Sequence, residues 1–310
     1  MNLLLNEEDK DGYIMNQIES INKMIENLDK RWIHYKTIKS LLEDTLNELK
    51  KIKFNNKTIQ RTHERKIEKY INWVEVYRLA NYHFSRYLNS KTSYSEGLFS
   101  TLLALNNMYI HDKSIKNIGI IGCGPGRSVL DFSLAYPNAK IHGLDYSSVA
   151  LTLGKKIVSS CDKEIEIVRR EDNIIIDKIN GFKRNNCLWS MFDLTKSNIK
   201  EEFDIAVCSN VINLMPNHKE AINKIYNMIT PNGYIIYADL TGWRIDRKEE
   251  QELLKDKDSI KKCFEDTGFV TIECFDGGPY VEKENDSNFI FYKQTYYIGR
   301  KCIKWKKLYY

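Results

Sequence analysis

The chain has 310 residues, 42% of them hydrophobic, with 47 basic against 42 acidic side chains and a formal charge of +5. That length and apolar content can bury one full domain plus an extension, which excludes an intrinsically disordered chain. No apolar run approaches the roughly eighteen residues that cross a bilayer, and residues 1–9 are acidic where a secretion signal would be basic, so a cytoplasmic location is expected.

The first third is read as helical. Only Gly12 and Gly97 precede Gly119, and every proline follows it, so the segment lacks helix breakers. Ile14, Ile18, Ile21, Ile25, Leu28, Trp32 and Tyr35 recur at three- and four-residue steps, and Leu42, Leu46 and Leu49 resume the pattern. This predicts one long amphipathic helix with a kink. A second stripe, Trp73 to Leu88, predicts another helix, and Phe99 to Met108 a shorter one after Tyr94. Residues 1–112 are therefore expected to form a helical cap, which also offers a homodimer surface, and residues 113–310 the principal domain.

From Ile118 onward, apolar strands alternate with helices. Strands are predicted near 117–123, 140–145, 187–192, 203–209, 234–240, 270–275 and 289–300, with helices near 127–136, 147–160, 217–229 and 247–267. The alternation implies an α/β doubly wound sheet. The last two strands lack an intervening helix and should pair antiparallel. An excursion is expected over 162–186, with no role assigned.

Gly122, Gly124 and Gly126 follow the first of these strands, and Asp145 ends the second, 19 residues past Gly126. Glycines in such a loop let backbone approach a ligand, and the free N–H groups of the following helix face it. A carboxylate at Asp145 can accept hydrogen bonds from both ribose hydroxyls, each contributing roughly 1.5–3 kcal/mol. A dinucleotide fingerprint would place its third glycine at position 127, which is Arg127. The G-x-G-x-G of residues 122–126 instead resembles the first motif of class I S-adenosylmethionine-dependent methyltransferases. Leu144 to Ser147, Trp189 to Leu194, Phe203 to Leu214 and Ile229 to Tyr237 are similar to that family's later motifs, in order.

The resemblance implies a seven-stranded Rossmann-like sheet with its last two strands antiparallel, and a methyltransferase that uses S-adenosyl-L-methionine as co-substrate. It implies cofactor contacts at Gly122, Gly124, Gly126, Asp145, Tyr146, Asp193, Leu194 and Asn210. Asp193 meets the adenine in this reading, although Asp193 to Thr195 also suits a helix N-cap. Substrate-side candidates, placed by topology, are Tyr94, Asn213 and Asp239, and His218 is a weaker acid–base candidate. Holding an acceptor atom in line with the methyl carbon can lower the barrier by about 7–11 kcal/mol, so alignment outweighs any single base.

The acceptor is expected to be a small molecule methylated on oxygen or nitrogen. A nucleic-acid or protein methyltransferase is the alternative, as is a non-catalytic scaffold with a vestigial cofactor fold. Nucleic acid is disfavoured because the basic runs Lys51 to Lys69 and Arg300 to Lys307 have no accompanying RNA-binding motif and read as solvated faces. Residues 209–216 are also similar to a segment of arsenite methyltransferases, but Val211 stands where that family has a metalloid-binding cysteine. Seven scattered cysteines without a C-x-x-C pair signal neither disulfides nor a metal site.

Overall fold

The computed structural model describes residues 2–4, 7–28, 30, 35–52, 96–112, 114–159, 164–170, 174–196, 199–241, 254–277, 280–283 and 289–302. Element numbers below follow chain order among these residues. The central sheet runs β1 (Asn2–Leu4), β6 (Cys187–Phe192), β3 (Lys140–Asp145), β2 (Asn117–Ile121), β7 (Phe203–Ser209), β8 (Ile229–Leu240), β12 (Gln294–Lys301) and β9 (Phe269–Asp276). Strands β1 to β8 of this sheet pair in parallel, while β12 lies antiparallel between β8 and β9.

The seven expected strands are thus present, and an eighth joins them. β1 adds in parallel to β6, with Asn2 opposite Ser190, and covers backbone groups that an edge strand otherwise presents unpaired.

Two helical predictions are corrected. Instead of one long helix, α1 (Glu7–Asn27) and α2 (Tyr35–Lys50) are separate. The Leu28 N–H turns back to the Ile25 carbonyl at 3.3 Å, and the sequence Asn27-Leu28-Asp29 supplies two residue types that favour helix ends over helix interiors. The helix expected over 247–267 is not continuous: residues 247–253 lie outside the described residues, 254–256 are not helical, and a helix begins at Lys257, where Asp256 is extended and its carboxylate accepts the Ser259 N–H at 2.8 Å as an N-cap. The strand expected over 289–300 also divides. Its first part, β11 (Phe289–Tyr292), leaves the main sheet to form a hairpin with β10 (Tyr280–Lys283).

The excursion over 162–186 contains a second hairpin, β4 (Glu164–Arg170) with β5 (Ile174–Asn180). The Thr37 hydroxyl of α2 reaches the Glu166 carboxylate at 3.0 Å. The stripe Trp73 to Leu88 and the candidate Tyr94 lie outside the described residues.

Period-two alternation sends successive side chains of β8 into different cores. Ile236 and Ala238 join one cluster, with residues of α2, of α3 (Glu96–Tyr109), of α4 (Arg127–Ala135) and of α5 (Ser148–Ser159). Ile235 and Tyr237 join the other, with α6 (His218–Met228) and α7 (Lys257–Thr267), where Phe264 stacks on Tyr297 at 4.4 Å. Both faces are covered, so a ligand is left the strand ends, where β2 and β3 run out into the 122–126 and 145–148 loops.

Of the basic run Arg300 to Lys307, residues 303–307 lie outside the described residues and Arg300 is exposed, but Lys301 departs from the expected solvated face. Lys301 is buried, and its ammonium donates to the Tyr226 and Ile229 carbonyls at 3.1 and 2.6 Å, capping the end of α6. Among the described residues, no helix is long and apolar enough to cross a membrane.

Candidate functional site

The loop after β2 turns on glycines at positive φ: 65° at Gly122, 53° at Gly124 and 88° at Gly126, the N-cap of α4. The Gly122 and Cys123 N–H groups bond to the Leu144 carbonyl at 2.7 and 3.1 Å, which fixes the loop against the end of β3. Two of these glycines serve different ends. A Cβ at Gly122 would stand 2.0 Å from Cγ2 of Val211, so this position is bare because β7's loop packs on it. A Cβ at Gly124 would meet nothing within 4 Å, so there the missing side chain leaves backbone facing open space.

Asp145 closes the arrangement. Its carboxylate accepts the Gly124 N–H at 2.7 Å and the Ser147 N–H at 2.8 Å. The same side chain therefore ties the tip of the glycine loop to the start of α5. Tyr146 beside it is exposed, whereas Leu194 is buried. Asp193 sits at the end of β6, where one of its oxygens accepts both the N–H and the hydroxyl of Thr195, at 2.9 and 2.6 Å. It holds a turn rather than a helix start, since residues 194–196 are turn.

The ends of β7, β8 and β12 bring together a second, buried group. Asn210 adopts φ 54°, its N–H bonds to the Ala238 carbonyl at 2.9 Å, and its side-chain oxygen accepts Nε2 of Gln294 at 3.2 Å. Asp239, 1% exposed, accepts the N–H groups of Asn213 and Leu240 at 3.1 and 2.8 Å. Burial pushes its carboxyl up to about 7, against the pull of those N–H groups. Both amide atoms of Asn213 and Oε1 of Gln294 are buried with no hydrogen-bond partner among the described residues. Such groups cost about 1–3 kcal/mol each unless something satisfies them.

His218 opens α6 and is buried there, behind an N-cap made by Asn217 to the Glu220 N–H at 2.9 Å. The Cys208 and Cys123 thiols are pushed well above their ordinary value, chiefly by burial.

Three residues of this region were not among the sequence candidates. Gln294 opens a strand whose next four residues are Thr, Tyr, Tyr and Ile, and it is fully buried there, which the sequence does not mark. Tyr13 and Gln17 come from α1. The Tyr13 hydroxyl donates to the Tyr146 carbonyl, its ring meets the Tyr146 ring edge-on at 4.8 Å, and Gln17 accepts the Ser148 hydroxyl at 2.7 Å.

A family profile described as a methyltransferase domain matches residues 120–294, more than half of the chain. The chain belongs to this family. It carries a methyltransferase domain of the class I, Rossmann-like kind, and the strand order described above is typical of that fold. An uncharacterized protein of Rickettsia prowazekii (strain Madrid E) is 30% identical over 132 residues, which is 40% of this chain and 44% of that relative. The match thus spans less than half of the curated relative's length.

Solved structures are similar at lower identity. The N-methyltransferase NodS from Bradyrhizobium japonicum WM9, in complex with S-adenosylhomocysteine, is 13% identical, with 70% of this chain and 94% of that one covered and a TM-score of 0.48. Haemonchus contortus phosphoethanolamine N-methyltransferase 2 is 13% identical, with 71% and 59% covered and a TM-score of 0.47.

Proposed function

We propose that this methyltransferase acts on a small molecule, through oxygen or nitrogen, with Gly122, Gly124, Gly126, Asp145, Tyr146, Asp193, Leu194 and Asn210 holding the cofactor. The observation that carries the reading is the pairing of two unlike ends of one row of residues, set along the C-terminal ends of β3, β2, β7 and β8. At one end, backbone at Gly124 faces open space beside the Asp145 carboxylate, which suits a ribose. At the other, Asn213, Asp239 and Gln294 form a small buried polar surface. A surface set that deep suits a compact acceptor better than a helix of RNA.

When bound, S-adenosylmethionine supplies a methyl group on a cationic sulfur. The chain's own residues then have three tasks. Asp145 accepts from ribose hydroxyls while keeping the loop tip in place. Asn213 and Gln294 offer amide groups that orient a polar acceptor, and each bond made there removes an unsatisfied buried atom. Asp239, which titrates near neutral pH, can take up a proton when the acceptor must lose one. In this reading residues 1–112 form a cap over the catalytic domain, 113–310.

The test is methyl transfer from S-adenosylmethionine labelled in its methyl group, offered to small amines and hydroxy compounds and, separately, to RNA and protein. Label in a small molecule, with kcat lowered and cofactor affinity unchanged in Asn213→Ala, supports the proposal. Label confined to RNA or protein replaces it with the macromolecular alternative.

A further inference from the structure

We propose that Tyr13 of α1 is a cofactor-binding residue, the outer wall of the adenosine end of the site, and that it couples cofactor binding to docking of the N-terminal helices. The proposal rests on the reading that Asp145 and Asp193 bracket the adenosine. Tyr13 stands beside the first of these acids: its hydroxyl donates to the carbonyl of Tyr146, the residue after Asp145, and its ring meets the Tyr146 ring edge-on at 4.8 Å. A phenol there brings an apolar ring and a polar tip to the place where an adenine face and ribose hydroxyls must be accommodated.

Two polar contacts of α1 reach this place. Tyr13 and Gln17 stand four residues apart, on one helix face, and they bond to Tyr146 and Ser148, directly after Asp145. α1 in turn packs on α2. α2 is fastened to α5 by Glu48 to Lys155 at 2.7 Å and Asp44 to Lys156 at 2.8 Å. The helix pair therefore rests on the same α5 whose first residues border the ribose acid. A ligand that touches Tyr13 favours the docked helices, and by linkage the docked helices favour the ligand to the same extent.

Two measurements on the full chain test this. The first is S-adenosylhomocysteine binding by calorimetry to the unaltered protein, Tyr13→Phe and Tyr13→Ala. The second is hydrogen exchange across residues 7–27 with and without that ligand. Expected are a loss of about tenfold in affinity for Tyr13→Ala, a smaller loss for Tyr13→Phe, and slower exchange in α1 when ligand binds the unaltered chain.

Ligand binding that leaves α1 exchange unchanged overturns the proposal and leaves the adenosine site standing; this holds even if the alanine variant does not fold. Affinity within about twofold of the unaltered chain in a folded Tyr13→Ala also overturns it. Failure of the unaltered chain to bind S-adenosylhomocysteine overturns the adenosine assignment itself.

Discussion

Replacing Asp239 by asparagine should remove a specific pH dependence of stability. The carboxyl titrates at about 7 in the folded chain, against 3.8 for the group in water, because burial disfavours its charge. A folded pKa raised above the unfolded one means that the native state binds more protons between the two values. Its contribution is therefore complete below about pH 4 and is lost as pH rises through about 7. Integrating between about pH 5 and pH 8 gives a loss on the order of 3 kcal/mol from this group.

The Asp239→Asn variant would carry no such term, though its amide would face a backbone N–H where a carboxylate oxygen now accepts one, at a constant cost of about 1–3 kcal/mol. Urea unfolding of both proteins at the two pH values separates the effects, because the constant cost cancels when each protein is compared with itself across the interval. The unaltered chain should lose about 3 kcal/mol more than Asp239→Asn over that interval. Equal losses in the two proteins would refute the claim that Asp239 is held protonated by burial.

The two loop glycines should respond differently to alanine. Gly122→Ala combines a left-handed backbone with a Cβ 2.0 Å from Val211, so denaturation should show a loss of at least about 2 kcal/mol. Gly124→Ala has the same backbone cost but open space, so stability should fall by about 1–2 kcal/mol, while calorimetry shows S-adenosylhomocysteine affinity reduced by more than about tenfold. Lys301→Ala removes the donor to two buried carbonyls and should destabilise the fold by about 1–3 kcal/mol. Cofactor affinity should not change, since Lys301 lies at the opposite end of β12 from Gln294.

The parallel sheet and the glycine loop were legible because both are local patterns: apolar strands alternating with helices, and three glycines immediately after one of them. Asp145 was legible for the same reason, as the acid that ends the next strand. What Asp145 does for the protein itself was not, because its bond to Gly124 spans 21 positions and depends on how β2 and β3 pair.

The break between α1 and α2 was missed because the apolar stripe continues across it; the signal for the interruption is the residue types of Asn27 and Asp29 rather than any change of periodicity. Strand β1 is three residues long and pairs with β6, a partner nearly two hundred positions away, so no local pattern marks it. Gln294 and Tyr13 illustrate the remaining gap. Neither residue is marked by its neighbours in the sequence, and only the assembled fold shows what its polar end meets.

The central claim is that the loop over 122–126 and Asp145 together grip the adenosine of the cofactor. Calorimetric titration of S-adenosylhomocysteine into the unaltered chain and into Asp145→Ala tests it most directly. Two charge-assisted hydrogen bonds to a ribose contribute together about 3 kcal/mol or more, so affinity should fall by about a hundredfold or more in the variant. Equal affinity in the two proteins, or no binding by the unaltered chain, would contradict the account.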